Sequence, residues 1–336
     1  MKKPRLSEKK NDPKTEEASV SFSDEYVAAL GAAWNINLVY VRPDLVIQGS
    51  PERSLSRAVV EDAEGRLFLL EKLAPKTAAR KRQIAAALHA LAERGLSRVS
   101  PYLSSTAGEF IVPHKNFFWQ LSHYLEGIPL NREQYTFEQW RGRALADFLL
   151  ELREKSEQAP SLRLQDRFSL KRYLHHMAKK MSVYDRNIFI ETKPILAFLK
   201  NEFLAAYDDL PEIFCHGDYH PLNIIWSDHD IRCVIDWEFS GPKKELYDIA
   251  NLIGCVGMEN PNALLGELTQ AFVRRLQTSR IFSEKSWRYL PEFVLALRFA
   301  WLAEWLRQRD TGMIALELDY MKLLVDNKNI LQKTWL

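Results

Sequence analysis

Cysteine is almost absent: Cys215, Cys233 and Cys255 are the only three in 336 residues, and no two of them form a C-x-x-C pair. That argues against a disulfide framework or a thiolate zinc site, and it leaves the three as buried thiols. Net charge is scarce too. The 46 Lys and Arg against 44 Asp and Glu leave a formal +2, too little to indicate a nucleic-acid surface. No apolar run reaches the roughly 18 residues of a membrane span, and the basic stretch Met1 to Lys10 lacks the apolar segment of a secretory signal. The expectation is a cytoplasmic protein with neither a membrane anchor nor a nucleic-acid partner. Residues 1–20 have almost no large apolar groups, so they cannot repay the entropy of ordering and read as a disordered tail.

What is present is a hydrophobic content of 46%, enough for one large or two modest domains. Within it the run His216-Gly217-Asp218-Tyr219-His220-Pro221-Leu222-Asn223, followed by Ile235-Asp236-Trp237-Glu238, sets two carboxylates and an amide at the spacing of a phosphoryl-transfer site. In that chemistry the first Asp accepts the hydrogen bond of an acceptor hydroxyl. The Asn and the later Asp offer oxygens to a hard cation. Glu212 to Cys215, Asn223 to Trp226 and Ile231 to Ile235 read as short strands, with Ser227 to Asp230 as a hairpin turn, so Asn223 and Asp236 fall on neighbouring segments. His216 and Asp248 read as braces of the loop. His220 is open to two uses, a phosphate contact or a solvated loop histidine.

Gly217 stands where protein kinases carry Arg, and Trp237-Glu238 where they carry Phe-Gly. The pattern H-G-D-x-x-x-x-N followed by I-D-x-E resembles the aminoglycoside phosphotransferase family, with its choline kinase-like members. The match is specific from Ile213 to Asp248 and looser over roughly residues 38 to 330. The resemblance implies an α+β, protein-kinase-like fold of two lobes. A small N-terminal antiparallel-sheet lobe would occupy 21–122 and a larger, mainly helical C-terminal lobe 123–336. It implies ATP and Mg²⁺, with Asp218 as catalytic base and Asn223 and Asp236 as metal ligands. The acceptor would be a small-molecule hydroxyl, on an amino alcohol, amino acid, sugar or related metabolite.

In the first lobe, Ser23 with Asp24 and Glu25 opens an amphipathic helix through Tyr26, Leu30 and Trp34. Strands are predicted at Leu45 to Gln48, Ser56 to Glu61 and Leu67 to Leu73. In the last of these Phe68, Leu70 and Lys72 share one face, and a buried ammonium should meet an anion there. The resemblance makes Lys72 the ATP-phosphate lysine and the turn beginning Gly49-Ser50 the phosphate cover. It also makes His123, Tyr124 and Leu125 the backbone hinge that holds the adenine. The helix predicted over Lys76 to Arg94 should supply a Glu partner for Lys72, yet it offers Gln83 on its sheet-facing side and Glu93 only late. Either Gln83 substitutes or Glu93 reaches. That missing Glu and the single glycine of the cover leave a second reading open, a catalytically silent nucleotide-binding fold that senses or docks a partner.

The rest reads as helical. Thr136 with Gln139 forms a capping-box pattern, and helices are expected over Leu170 to Val183, Pro194 to Tyr207, Leu246 to Val256, Ala263 to Gln277, Pro291 to Arg309 and Ile314 to Val325. Arg298, Trp301, Glu304 and Trp305 share one helix face or its border. Trp301, Glu304 and Trp305 are the candidate acceptor contacts, with Arg298 opposing a cationic acceptor.

Overall fold

The computed structural model describes residues 22–50, 54–164 and 167–336. The expected disordered tail and Pro51 to Arg53 of the expected phosphate cover lie outside the described residues.

Ser23 accepts a hydrogen bond from the Tyr26 amide and so caps helix α1 (Asp24–Gly31). The helix lays Val27, Leu30 and the following Trp34 against one face of a sheet, where they meet Leu38, Ala58, Val60, Phe68, Leu70, Trp119 and Leu121. The strands are β1 (Leu38–Val41), β2 (Ser56–Asp62) and β3 (Leu67–Leu73). After helix α2 (Ala78–Ala92) come β4 (Val112–His114) and β5 (Phe117–His123). Every pairing is antiparallel, in the order β1-β2-β3-β5-β4. The first strand is not Leu45 to Gln48, as expected. Leu38-Val39-Tyr40-Val41 takes that place, Pro43 interrupts the donors that follow, and Val46 is exposed. In register, Lys72 lies between Ser56 and Trp119, and Glu71 between Arg57 and Gln120. Alternation therefore puts Phe68, Leu70 and Lys72 on the α1 side and Glu71 and Leu73 on the other. On that other side Leu73 packs with Ala78 of α2 and with Ile111.

The chain forms two compact units. One runs to Arg82 and includes Tyr102–Tyr124; the other holds Gln83–Pro101 and Leu125–Leu336. The expected division was a single cut at residue 123. By contacts, the segment 83–101 groups with the second unit, and the chain passes between units again after Tyr124, inside the predicted hinge.

The second unit is built from α3 (Gln139–Glu157), α4 (Leu170–Tyr184), α5 (Arg186–Asn201), α6 (Phe203–Ala206), β6 (Glu212–Cys215), β7 (Ile224–Trp226), β8 (Ile231–Val234) and β9 (Gly241–Lys244). It continues through α7 (Tyr247–Glu259), α8 (Glu267–Ser279), α9 (Glu284–Trp287), α10 (Leu290–Gln308), α11 (Thr311–Asp326) and α12 (Lys328–Trp335). Its strands form two antiparallel ribbons, β6 with β9 and β7 with β8. The capping box at Thr136 does not form. Thr136 sits in a 3-10 turn, and α3 starts at Gln139 after Glu138 with no side-chain cap. Helix α5 begins at Arg186 and carries Pro194 inside it rather than at its start. Among the described residues no helix is long and apolar enough to cross a membrane.

Candidate active site

The loop between β6 and β7 is held by its own buried polar groups. Asp248, in the first turn of α7, accepts hydrogen bonds from the amides of His216 (2.7 Å) and Gly217 (2.8 Å). Burial pushes its carboxyl up to about 6, while those two amides and the nearby Lys243 act in the opposite sense. The His216 ring is fully buried. Its Nδ1 accepts from the Asp218 amide at 3.2 Å, so its Nε2 carries the proton and donates to the Ile235 carbonyl at 2.8 Å. Burial holds this ring down at about 4, neutral in the folded protein. One imidazole thus ties the backbone of Asp218 to the residue preceding Asp236. The Trp237 ring lies edge-on to His216 at 4.5 Å and donates its Nε1–H to the Val234 carbonyl at 2.8 Å.

Gly217 has φ +87°, and a Cβ there would lie 2.6 Å from the carbonyl carbon of Phe239 and closer still to its oxygen. The segment after Asp236 packs so tightly on the loop that only glycine fits. Asp236 itself adopts φ 64°, left-handed for a residue with a side chain, as the chain leaves β8 for a 3-10 turn.

Asn223 donates its amide to the Asp218 carbonyl at 2.9 Å and to Asp218 Oδ2 at 3.2 Å. Its own backbone carbonyl accepts from the Ile235 amide at 3.0 Å, one step beyond the Ile224–Val234 pair of the β7–β8 ribbon. The structure therefore brings Asp218 and Asn223 into direct contact and sets Asp236 next to Asn223's partner. His220 Nε2 lies 3.6 Å from Asp218 Oδ1. Burial would raise the Asp218 carboxyl, but the His220, His216 and Asn223 groups outweigh it and hold it below the usual carboxylate range. The carboxylate is ionised at neutral pH and ready to accept. Asn223 carries an amide oxygen and Asp236 a carboxylate, donors of the kind a hard cation takes. Two such oxygens suit Mg²⁺, which takes most of its six ligands from water and phosphate.

From His220 the site continues to Trp301 of α10, ring centroids 6.4 Å apart, and from Trp301 to Trp305, stacked at 5.9 Å. One expectation needs correction here. Arg298 does not present a bare positive charge, because Glu317 of α11 takes its guanidinium through two hydrogen bonds of 2.6 Å and also accepts from Trp305 Nε1 at 3.3 Å. Glu304 is engaged along its own helix by Arg307 Nε (2.8 Å) and Gln308 Nε2 (2.6 Å).

In the first unit the structure sets the Lys72 ammonium among aromatic rings. Lys72 is 1% exposed, its Nζ lies 3.7 Å from the centroid of Phe117 and 6.0 Å from that of Trp119, and among the described residues it has no ion pair. Burial lowers its affinity for a proton. Gln83 and Glu93, the two candidate partners, are both exposed. Gly49 has φ +83°, and its carbonyl, with that of Gln48, accepts from the Arg57 guanidinium; Ser50 is exposed. The Tyr124 amide donates to Leu67 and its hydroxyl to Val46, while the His123 ring stacks near Phe68 at 5.3 Å; Leu125 opens the second unit.

A sequence profile of the phosphotransferase enzyme family matches residues 51–288. Solved structures with the same fold include an amicoumacin kinase, in complex with AMP-PNP, Ca²⁺ and a third bound group, Ami. It is 14% identical, the match covers 93% of this chain and 96% of that one, and the TM-score is 0.66. An aminoglycoside phosphotransferase from Alicyclobacillus acidocaldarius is 16% identical over 88% and 92% of the two chains, TM-score 0.60. A microcompartment-associated aminopropanol kinase is 15% identical over 92% and 99%, TM-score 0.59. A search of curated protein sequences returns no match.

Proposed function

Because this chain belongs to the phosphotransferase enzyme family, we propose that it moves the γ-phosphate of ATP, with Mg²⁺, to a hydroxyl of a small molecule, with Asp218 as the base. The single observation that carries the residue assignment is the Asp218–Asn223 contact beside Asp236 on the β7–β8 ribbon. Asp218, ionised and held by Asn223 and His220, accepts the hydrogen bond of the acceptor hydroxyl and takes its proton as the bond to phosphorus forms. Asn223 and Asp236 would hold the cation, which would neutralise charge on the phosphate oxygens. ATP is supported by fold relatives crystallised with AMP-PNP and ADP.

On the acceptor side the reading rests on Trp301 and Trp305, which continue from His220, with the Arg298 charge cancelled by Glu317. The acceptor we propose is an amino alcohol, amino acid, sugar or related metabolite. The caged Lys72 favours a second reading, a fold that binds nucleotide without turnover. Phosphate transfer from ATP across a panel of hydroxyl acceptors, with Asp218→Ala as control, separates the two. Transfer that Asp218→Ala abolishes supports the enzyme; transfer that persists removes Asp218 as base, and nucleotide binding without any transfer favours the silent fold.

A further inference from the structure

Charge is close to balanced over the whole chain, but helix α4 holds Lys171, Arg172, Lys179 and Lys180, two histidines and no acid. Its buried stripe is Leu170, Leu174, Met177 and Met181. The turns opposite, from Arg172 through His175, His176 and Lys179 to Val183, are exposed. Helix α5 follows after Asp185 and repeats the pattern: Thr192, Ile195 and Leu199 are buried, and Arg186, Ile190 and Lys193 stand out opposite them. Because α4 packs on α10 and α5 on α11, these outer faces are left to solvent.

Few acids answer this charge. Among the described residues Lys171 is the only base of α4 with an ion pair, to Asp208, and Glu191 of α5 is taken by Lys322 of α11 at 3.4 Å. Only Asp185, half-buried between the helices, is a further acid of the pair. Close to that junction three large apolar side chains are bare: Val183 is 66% exposed, Tyr184 80% and Ile190 59%. A basic face ending in an apolar tip combines two attractions that one kind of surface satisfies. Anionic lipid headgroups attract Lys and Arg, and the boundary beneath them accepts Tyr, Val and Ile. A nucleic acid would answer the charge and stack on Tyr184, but it offers no apolar layer for Val183 and Ile190.

We propose that the outer face of α4 and α5 docks on an anionic lipid bilayer, with its bases on the headgroups and Val183, Tyr184 and Ile190 dipping between them. Such a face needs neither a membrane-spanning helix nor a basic chain, so it revises the expectation of no membrane partner. Sedimentation of the full-length protein with vesicles of phosphatidylglycerol and phosphatidylcholine, against phosphatidylcholine alone, tests it without nucleotide or acceptor and so independently of the phosphate-transfer reading. Wild type should bind the anionic vesicles at least about tenfold more tightly, and the binding should weaken as salt is raised. Lys179→Glu with Lys180→Glu should weaken it about tenfold or more. Arg143→Glu with Lys333→Glu, exposed bases of α3 and α12, makes the same change of net charge and should stay within about twofold of wild type. Val183→Ser with Tyr184→Ser should weaken it about fivefold or more. Wild-type binding that is absent, or equal on both kinds of vesicle, would overturn the proposal with no variant needed. Equal losses in the two charge-reversed proteins, or an unchanged affinity in the serine variant, would overturn it as well. Capture by polyglutamate or by RNA without sedimentation on vesicles would give the face to an acidic protein or a nucleic acid instead.

Discussion

At the scale of single residues, the candidate site is a set of backbone amides and carbonyls closed by three side chains, His216, Asp248 and Asn223. Each leaves a signature. Gly217→Ala puts a methyl into the Phe239 backbone at a positive φ, and about 2–4 kcal/mol of stability should be lost along with activity, as read by chemical denaturation. The two buried titrating groups oppose each other in acid. His216 is depressed to about 4, so the unfolded chain binds the extra proton between there and the normal imidazole range; stability falls as pH drops through that window, by about 2 kcal/mol between pH 7 and 5. Asp248 is raised to about 6, so the folded chain binds the extra proton and stability rises as pH drops from 6 toward 4. The wild-type slope is therefore shallow, and Asp248→Asn should steepen the acid loss. An unchanged slope in that variant would remove Asp248 from the balance. The approach of Asn223 to Asp218 was legible because the spacing of that motif is set by chemistry.

At the scale of elements, α10 and α11 are joined by Arg298 and Glu317, both nearly inaccessible. Removing one partner leaves a buried charge, so Glu317→Ala should cost about 3–5 kcal/mol. The double variant Arg298→Met with Glu317→Leu should lose much less, because the uncompensated charge is gone. Thermal melts of both variants check this, and equal losses would mean that packing rather than charge sets the cost. This pairing is out of reach of a linear reading. Arg298 announced a charge, but its partner sits in the next helix and acid–base pairing across helices leaves no spacing rule. Strand and helix positions followed periodicity well at β3, β6, α4 and α10. They failed where local chemistry was ambiguous: Leu45 to Gln48 resembles a strand but follows Pro43, and the Thr136 cap was displaced by a 3-10 turn.

At the scale of the whole molecule, a sheet packed on α1 and a helical unit holding two short ribbons are the arrangement that the motif and its flanking patterns had implied. The family profile spans 51–288, well beyond the motif itself. The proposed acceptor surface is the part that sequence patterning reads least, because the environment of the α10 side chains comes from other helices. The proposed cation site is the part whose motif spacing carries most of the reading. Mg²⁺ dependence of AMP-PNP affinity, compared between wild type, Asn223→Ala and Asp236→Ala, is accordingly the most direct measurement. Affinity in wild type should rise at least about tenfold when Mg²⁺ replaces EDTA, and that gain should vanish in Asp236→Ala and shrink in Asn223→Ala. A Mg²⁺ gain that persists undiminished in Asp236→Ala would contradict the account.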